Sequence, residues 1–178
     1  MRIIAGSLGG RTFEAPSSHR THPMGDKIRG ALFGVLGDIK GLRVLDAYSG
    51  SGAISLEAIS RGAKSVIAID NDKDAQVGIQ KNIVKFGLGN QVSLFCGNVK
   101  SWSNRWPNEL FDLVICDPPY TDIRRDHLRK LAHHARPGGV VVFSLPPGVN
   151  TMLDAGEFNL LSTKSYGDAI LSFFRKKV

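Results

Sequence analysis

The chain has 178 residues, 42% apolar and 22% charged, which suits one globular domain with a sizeable core and excludes a disordered polyelectrolyte. No apolar run approaches the roughly 20 residues that a membrane span needs. The opening Met1-Arg2-Ile3-Ile4-Ala5-Gly6 has no signal-peptide core, so a soluble cytoplasmic protein is expected. The formal net charge of +7, from 23 Lys and Arg against 16 Asp and Glu, points toward a polyanionic partner.

In chain order, Arg2 to Ala5 reads as a short strand, Gly6 to Gly10 as turn material, and Arg11 to Glu14 as a returning hairpin partner. A polar loop follows from Pro16 to Gly25. The spacing of Ile28, Ala31, Leu32, Val35 and Leu36 predicts a helix from Asp26 to Leu36 with one apolar stripe. Asp26 suits its first turn and Gly37 its end. Lys27 and Arg29 fall off that stripe, where they can face solvent or a phosphate.

From Gly41 onward strands and helices alternate. Short apolar strands are expected at 43–45, 65–69, 92–95, 113–116 and 140–144, with helices at 53–61, 73–86 and 125–135. Near-continuous apolar strands joined by helices predict a doubly wound parallel sheet covered on both faces. Two late strands, 160–166 and 169–175, are separated only by Gly167 and Asp168. A gap that short permits a hairpin and forbids a crossover, so the sheet should end antiparallel. Cys96 and Cys116 sit in apolar runs and are expected as buried, reduced thiols. The five histidines form no i, i+4 pair, and no metal site is expected.

The first core strand runs into Asp46-Ala47-Tyr48-Ser49-Gly50-Ser51-Gly52, which opens a helix. Gly50 and Gly52 allow a ligand close to the backbone at the carboxyl end of a strand. Ser55 stands where a dinucleotide fingerprint wants glycine, and no P-loop lysine follows. Asp46 would repel a pyrophosphate. It suits a phosphate-free cofactor with a cationic amino-acid end, a description that S-adenosylmethionine meets. Asp70, followed by Asn71, closes the second strand and can accept ribose hydroxyls. Asn98, followed by Val99, ends the third strand and can read an adenine edge. Tyr48 and Ser51 complete the expected cofactor set.

Asp117-Pro118-Pro119-Tyr120 ends the fourth strand. The Asp117 carboxylate can accept an N–H, Pro118 extends the backbone before it and leaves its own carbonyl free, Pro119 stiffens the turn, and Tyr120 offers a ring for a base to stack on. An exocyclic amine is a poor nucleophile, because its lone pair is delocalised into the ring. Two acceptors holding its N–H bonds out of that geometry restore nucleophilicity by positioning and preorganised dipoles.

These residues resemble class I methyltransferases that modify exocyclic amines. With Met1 to Gly6, Gly10-Arg11, Asp26 to Phe33 and Leu56 to Ala63 added, the chain resembles the RsmD-type family of bacterial 16S rRNA guanine-N2 methyltransferases over nearly its whole length. The resemblance implies a Rossmann-like α/β fold with a seven-stranded sheet, and an N-terminal hairpin and helix extension, residues 1–40, packed on a methyltransferase domain, residues 41–178. It also implies S-adenosylmethionine as cofactor, with contacts at Asp46, Gly50, Gly52, Asp70 and Asn98, and small-subunit rRNA, free or in a 30S particle, as partner of a monomer. Arg2, Arg11, Arg20, Lys27, Arg29, Arg124 and Arg125 are the expected phosphate contacts.

Three departures stand out. His22-Pro23-Met24 replaces the family's usual Arg-Pro-Thr. Lys27 and Gly30 take the places of an arginine and a glutamate on the first helix. Tyr48-Ser49 precedes the loop glycines where Phe-Ala is more usual. The first two fall on the RNA side. Alternatives from the residues alone are methylation of another amine, such as adenine N6, and a catalytically silent RNA-binding module.

Overall fold

The computed structural model describes residues 1–15, 24–149 and 153–178. Most of the polar loop expected after Ala15, with Arg20, His22 and Pro23, lies outside the described residues. The elements are α1 (Asp26–Leu36), β1 (Arg43–Ala47), α2 (Ala53–Ser60), β2 (Ser65–Asp70), α3 (Lys73–Lys85), β3 (Val92–Cys96), α4 (Val99–Arg105), β4 (Phe111–Cys116), α5 (Arg125–Ala132), β5 (Ala135–Leu145), β6 (Phe158–Tyr166) and β7 (Ala169–Lys176). The strands form one seven-stranded sheet in the order β3-β2-β1-β4-β5-β7-β6. Pairings from β3 through β5 are parallel, and β7 runs antiparallel to both neighbours.

The physical cause is the apolar pattern. Strand residues alternate between two cores, so both faces must be covered. Val44, Ala68, Leu113, Ile115 and Val142 pack with α2 and α3 on one face. Leu45, Ile69, Val114, Cys116 and Phe143 pack with α4 and α5 on the other. The β6–β7 hairpin closes at Tyr166↔Ala169. Gly167 takes φ 64° at its first turn position, where a type II′ turn calls for glycine. Strand order reverses between β1 and β4, and the crevice outside the carboxyl ends of those two strands is where such a sheet binds ligands.

Several expectations need correction. Helix α1 has the predicted span, but its buried face is Arg29, Leu32 and Phe33, while Val35 is 41% exposed. Arg29 therefore does not face solvent or a phosphate. Its guanidinium is wholly buried and donates to the Met24 carbonyl at 3.0 Å, the Arg2 carbonyl at 2.7 Å and Asp26 Oδ1 at 2.9 Å. It also lies 3.6 Å from Glu57 Oε2. Glu57 is itself fully buried on α2, and a buried carboxylate draws in a counter-charge.

The same glutamate explains why the N-terminal hairpin is reduced to a single bridge, Arg2↔Thr12. The Ile4 and Ala5 amides donate to Glu57 at 2.7 and 3.1 Å, so they are unavailable to a strand partner. Ile3 and Phe13 nonetheless enter the α2–α3 core.

Helix α5 stops at Ala132 instead of running to Ala135, and β5 begins there. The His134 carbonyl accepts from the Phe111 amide at 2.8 Å, which draws that residue to the sheet. Helix α4 was not expected. Serines and aromatics are modest helix formers, and the Asn98 cap and burial of Trp102 (2% exposed) decide in its favour. Cys116 is buried as expected, whereas Cys96 is exposed because β3 is an edge strand.

Candidate active site

The β1–α2 loop is stitched together before any ligand is considered. Ser49 donates from its hydroxyl to the Asp46 carbonyl at 2.7 Å and accepts from the Ile69 amide at 2.9 Å. Its own amide donates to the Ile69 carbonyl at 2.9 Å, so the loop is tied to β2. Tyr48 adopts φ 67°, and its phenol is pushed upward in pKa by burial. Gly52 caps α2 in the left-handed region, and Ser51 is buried beside it. Gly50 has φ 53°, and a Cβ there would meet only the Tyr48 carbonyl, at 4.0 Å. The backbone of Gly50 thus borders open space at the crevice.

Asp46 lies beneath this loop with no exposed surface. Its Oδ2 accepts from the Ser55 hydroxyl at 2.5 Å, while Oδ1 has no partner. Burial pushes its carboxyl up to about 7, with the Ser55 hydrogen bond opposing and the Asp117 charge adding. A buried acceptor left bare is unfavourable in the free protein and is satisfied by a cationic donor. Ser55, read from sequence as a departure from a dinucleotide pattern, is the residue that holds Asp46 in place.

Asp70 ends β2 and reaches back to the same loop. Its Oδ2 accepts from the Gly50 amide at 2.7 Å and its Oδ1 from the Asp72 amide at 2.8 Å. Burial raises its pKa against those amides. Four lone-pair sites on a carboxylate leave room for ribose hydroxyls as well. Asn71 beside it is exposed. Asn98 is also exposed, and its Oδ1 accepts from the Ser101 amide at 2.8 Å as the N-cap of α4. That oxygen is committed, and only its amide N–H₂ remains to donate. The Val99 side chain is 4% exposed and packs in the α4–α5 core, which leaves its backbone as the part that can border a cofactor.

Across the switch point, β4 delivers Asp117-Pro118-Pro119-Tyr120. Cys116 pairs with Ala47 of β1 on one side and with Phe143 of β5 on the other, which sets Asp117 beside the end of β1. Asp117 is partly exposed, Pro118 is buried, Pro119 is exposed and Tyr120 is 39% exposed. The Pro119 carbonyl is engaged by the Asp122 amide at 2.9 Å, which tightens the turn. Burial pushes the Asp117 carboxyl up to about 6, opposed by the Ser144 hydroxyl. At neutral pH it is mostly an ionised acceptor set in apolar surroundings.

Of the basic residues expected at the crevice, Arg2, Arg11, Lys27, Arg124 and Arg125 are exposed. Arg2 pairs with Asp26 at 3.2 Å and Arg124 with Asp122 at 2.9 Å. Arg29 is interior, as described above.

The geometry brings together a bare buried carboxylate, a glycine-bordered opening, a second carboxylate on the loop, and an acceptor-plus-ring turn on the adjacent strand. The first three suit a cationic nucleoside. The fourth suits an amine on a flat ring.

The profile of a family described as "Conserved hypothetical protein 95" matches residues 1–175. The ribosomal RNA small subunit methyltransferase D of Buchnera aphidicola from Acyrthosiphon pisum is 34% identical over 119 residues, 66% of this chain and 62% of that protein. The chain thus spans under two thirds of that relative's length. The rRNA methyltransferase candidate YlbH of Bacillus subtilis is 25% identical over 183 residues, 99% of this chain and 100% of that protein. A solved methyltransferase candidate from Escherichia coli shares the fold, with a TM-score of 0.85 at 23% identity over 99% of this chain and 98% of that one. The sheet is the Rossmann-like α/β fold of class I methyltransferases. Because the match takes in the N-terminal arm, the glycine loop and the Asp117–Tyr120 turn together, the chain belongs to this RsmD-type methyltransferase family.

Proposed function

We propose that the protein transfers a methyl group from S-adenosylmethionine to the exocyclic N2 amine of a guanine in 16S rRNA, acting in the cytoplasm on free RNA or on an assembling small subunit. The observation that carries the reading is the pairing of Asp46, buried with one oxygen bare, with Asp117 one strand away. The first carboxylate suits a cation, and the second suits an N–H donor.

S-adenosylmethionine supplies an electrophilic methyl on a sulfonium. Asp46 would hold the ammonium of its amino-acid end, the Gly50–Gly52 backbone would let it lie close, and Asp70 would accept its ribose hydroxyls. The Asp117 carboxylate and the Pro118 carbonyl accept the two amine N–H groups, and Tyr120 stacks on the base. Held so, the amine would present its nitrogen lone pair to the methyl that the cofactor supplies, and the proton it gives up would pass to the Asp117 carboxylate or to water. Asp117 need not be a strong base, since its main work is orientation.

The base must leave its stack to reach this turn. Residues 1–40, with Arg2, Arg11 and Lys27, form an RNA-facing extension, and Arg124 and Arg125 follow the catalytic turn. We read all five as phosphate contacts, since all are exposed cations.

The test is transfer of labelled methyl to unmethylated small subunits, naked 16S rRNA and genomic DNA in parallel, with Asp117→Ala as control and nucleoside digestion of the product. Label in N2-methylguanosine that disappears in the variant supports the proposal. Label in adenine or in DNA overturns the substrate while retaining the chemistry.

A further inference from the structure

Helix α5 follows the Asp117–Tyr120 turn and is amphipathic. Its inner face is Leu128, Leu131 and Ala132, while Arg125, Asp126, Arg129 and Lys130 are exposed. Arg125, Arg129 and His133 fall at i, i+4 and i+8. The backbone of His133 is still helical, so the three share one stripe about 12 Å long. Two further elements extend the charge. The Lys176 ammonium, at the end of β7, donates to the His133 carbonyl at 2.9 Å. Lys130 donates to Asn104 Oδ1, next to Arg105 at the end of α4, whose guanidinium lies over the Trp106 ring at 4.8 Å.

Helix stability does not account for this pattern. Cations in a last turn favour the negative end of a helix, which explains Arg129 and Lys130. Arg124 and Arg125 stand at the opposite, positive end, where a cation is unfavourable. Lys176 comes from another element. The nearby acids Asp122, Asp126 and Glu157 contact Arg124, His127 and His133, at 2.9, 3.7 and 3.4 Å. Arg125, Arg129 and Lys130 pair with no carboxylate among the described residues. Leu128 and Leu131 beneath them are 0% and 1% exposed, so the stripe lacks the apolar anchor by which a protein partner is held. A row of cations without such an anchor suits a phosphate backbone.

We propose that the outer face of α5 and the end of β7 form a backbone track for RNA, in which Arg129, Lys130 and Lys176 continue from Arg125 and hold phosphates that lead away from the flipped base. This rests on the reading of the Asp117–Tyr120 turn as the place where an RNA base is held. The direction follows from the fold. Helix α5 starts at the carboxyl ends of the strands and stops at Ala132, just before β5 sets out. Lys176 pairs with Phe158, the first residue of β6, at that same far end of the sheet. The track thus runs the length of α5 beyond the crevice. An RNA confined to the stem that carries the target base meets the crevice, Arg124 and Arg125, while a larger folded RNA also meets Arg129, Lys130 and Lys176.

The experiment measures filter binding of a 16S rRNA transcript across salt concentrations. Wild type is compared with Arg129→Ala/Lys130→Ala/Lys176→Ala and with the charge-preserving Arg129→Lys/Lys130→Arg/Lys176→Arg. A control, Lys40→Ala/Lys64→Ala/Lys81→Ala, removes the same number of cations, all exposed, from around α2 and α3. Calorimetric affinity for S-adenosylmethionine reports the fold and should stay within about twofold of wild type throughout. In the alanine triple, RNA affinity should fall at least about tenfold, and the slope of log affinity against log salt should decrease by about 2–3, at about 0.7–0.9 per lost phosphate contact. The charge-preserving triple should keep the wild-type slope, and the control should change it by less than about 1. In the wild-type protein, 16S rRNA should also protect Lys130 and Lys176 from acetylation read by mass spectrometry, and leave Lys64 reactive. An alanine triple that binds cofactor normally and keeps the wild-type slope overturns the proposal, as does an equal loss in the control. Acetylation of Lys130 and Lys176 that RNA leaves unchanged overturns it without any variant. Neither binding nor labelling needs methyl transfer. If the wild-type protein methylates no base of rRNA, the functional reading fails while these two readouts still decide the track.

Discussion

Asp46 is a wholly buried carboxylate with one oxygen satisfied and one bare. Its folded-state pKa of about 7 lies above the ordinary value of about 3.9. The folded protein therefore keeps a proton that the unfolded chain has released, and stability falls as pH rises from about 4 to about 7. Asparagine at this position keeps an acceptor for Ser55 and removes the charge. Asp46→Asn is thus expected to raise the stability of the free protein at pH 8 by about 1–3 kcal/mol in urea titrations, while weakening cofactor binding at least about 100-fold by calorimetry. Normal cofactor affinity in the variant would remove Asp46 from the site. At this scale the sequence was informative about acids and glycines, which mark strand ends. It was mute about Ser49 and Ser55, whose roles depend on which buried oxygen lies opposite.

Between elements, Glu57 of α2 is the junction of the N-terminal arm, α1 and the cofactor helix. It accepts from Ile4 and Ala5, pairs with Arg61 at 2.7 Å and faces Arg29. Removing one member of a buried pair typically costs about 3–5 kcal/mol, because the other charge is stranded. Glu57→Ala should lower stability by that order and open the Ile4 and Ala5 amides to rapid hydrogen exchange. Continued protection of those two amides would show that the arm is held by its apolar contacts alone.

A second junction ties α4 to the start of β5, where His134 contacts the Ser103 hydroxyl and the Glu109 carbonyl, each at 2.7 Å. Only a neutral ring can accept from the serine while donating to the carbonyl, and burial lowers the imidazole pKa. The unfolded chain takes up the proton first, so this contribution is intact above about pH 7 and is lost as pH falls below about 6.5. His134→Gln should flatten that part of the stability profile between pH 8 and pH 5. A His134→Gln profile that keeps the wild-type slope would assign the acid loss elsewhere.

For the molecule as a whole, the net charge of +7 belongs to the proposed encounter with RNA. Phosphate contacts contribute uniformly across sequences and set the salt dependence of binding. Replacing both Arg124 and Arg125 with alanine is expected to raise the KM for RNA, leave cofactor affinity unchanged, and reduce the slope of log affinity against log salt by about 1–2. Arg124 is already paired with Asp122, so it contributes the smaller share. An unchanged slope would move the RNA path away from α5.

The sequence by itself determined the alternation of strands and helices, the antiparallel ending and the strand-end carboxylates. Each of these rests on local periodicity, turn length or residue chemistry, which survive without coordinates. Only the tertiary structure decided which way α1 turns, why the N-terminal hairpin is a single bridge, and that Arg29 is interior. A buried glutamate from α2 reaches back across 53 positions of sequence to the Ile4 amide and also meets Arg29, and no local pattern records that approach. The same holds for the bare oxygen of Asp46 and for Asp117 beside the end of β1: the residue types were visible in the chain, but their neighbours come from strand register, which long-range packing sets.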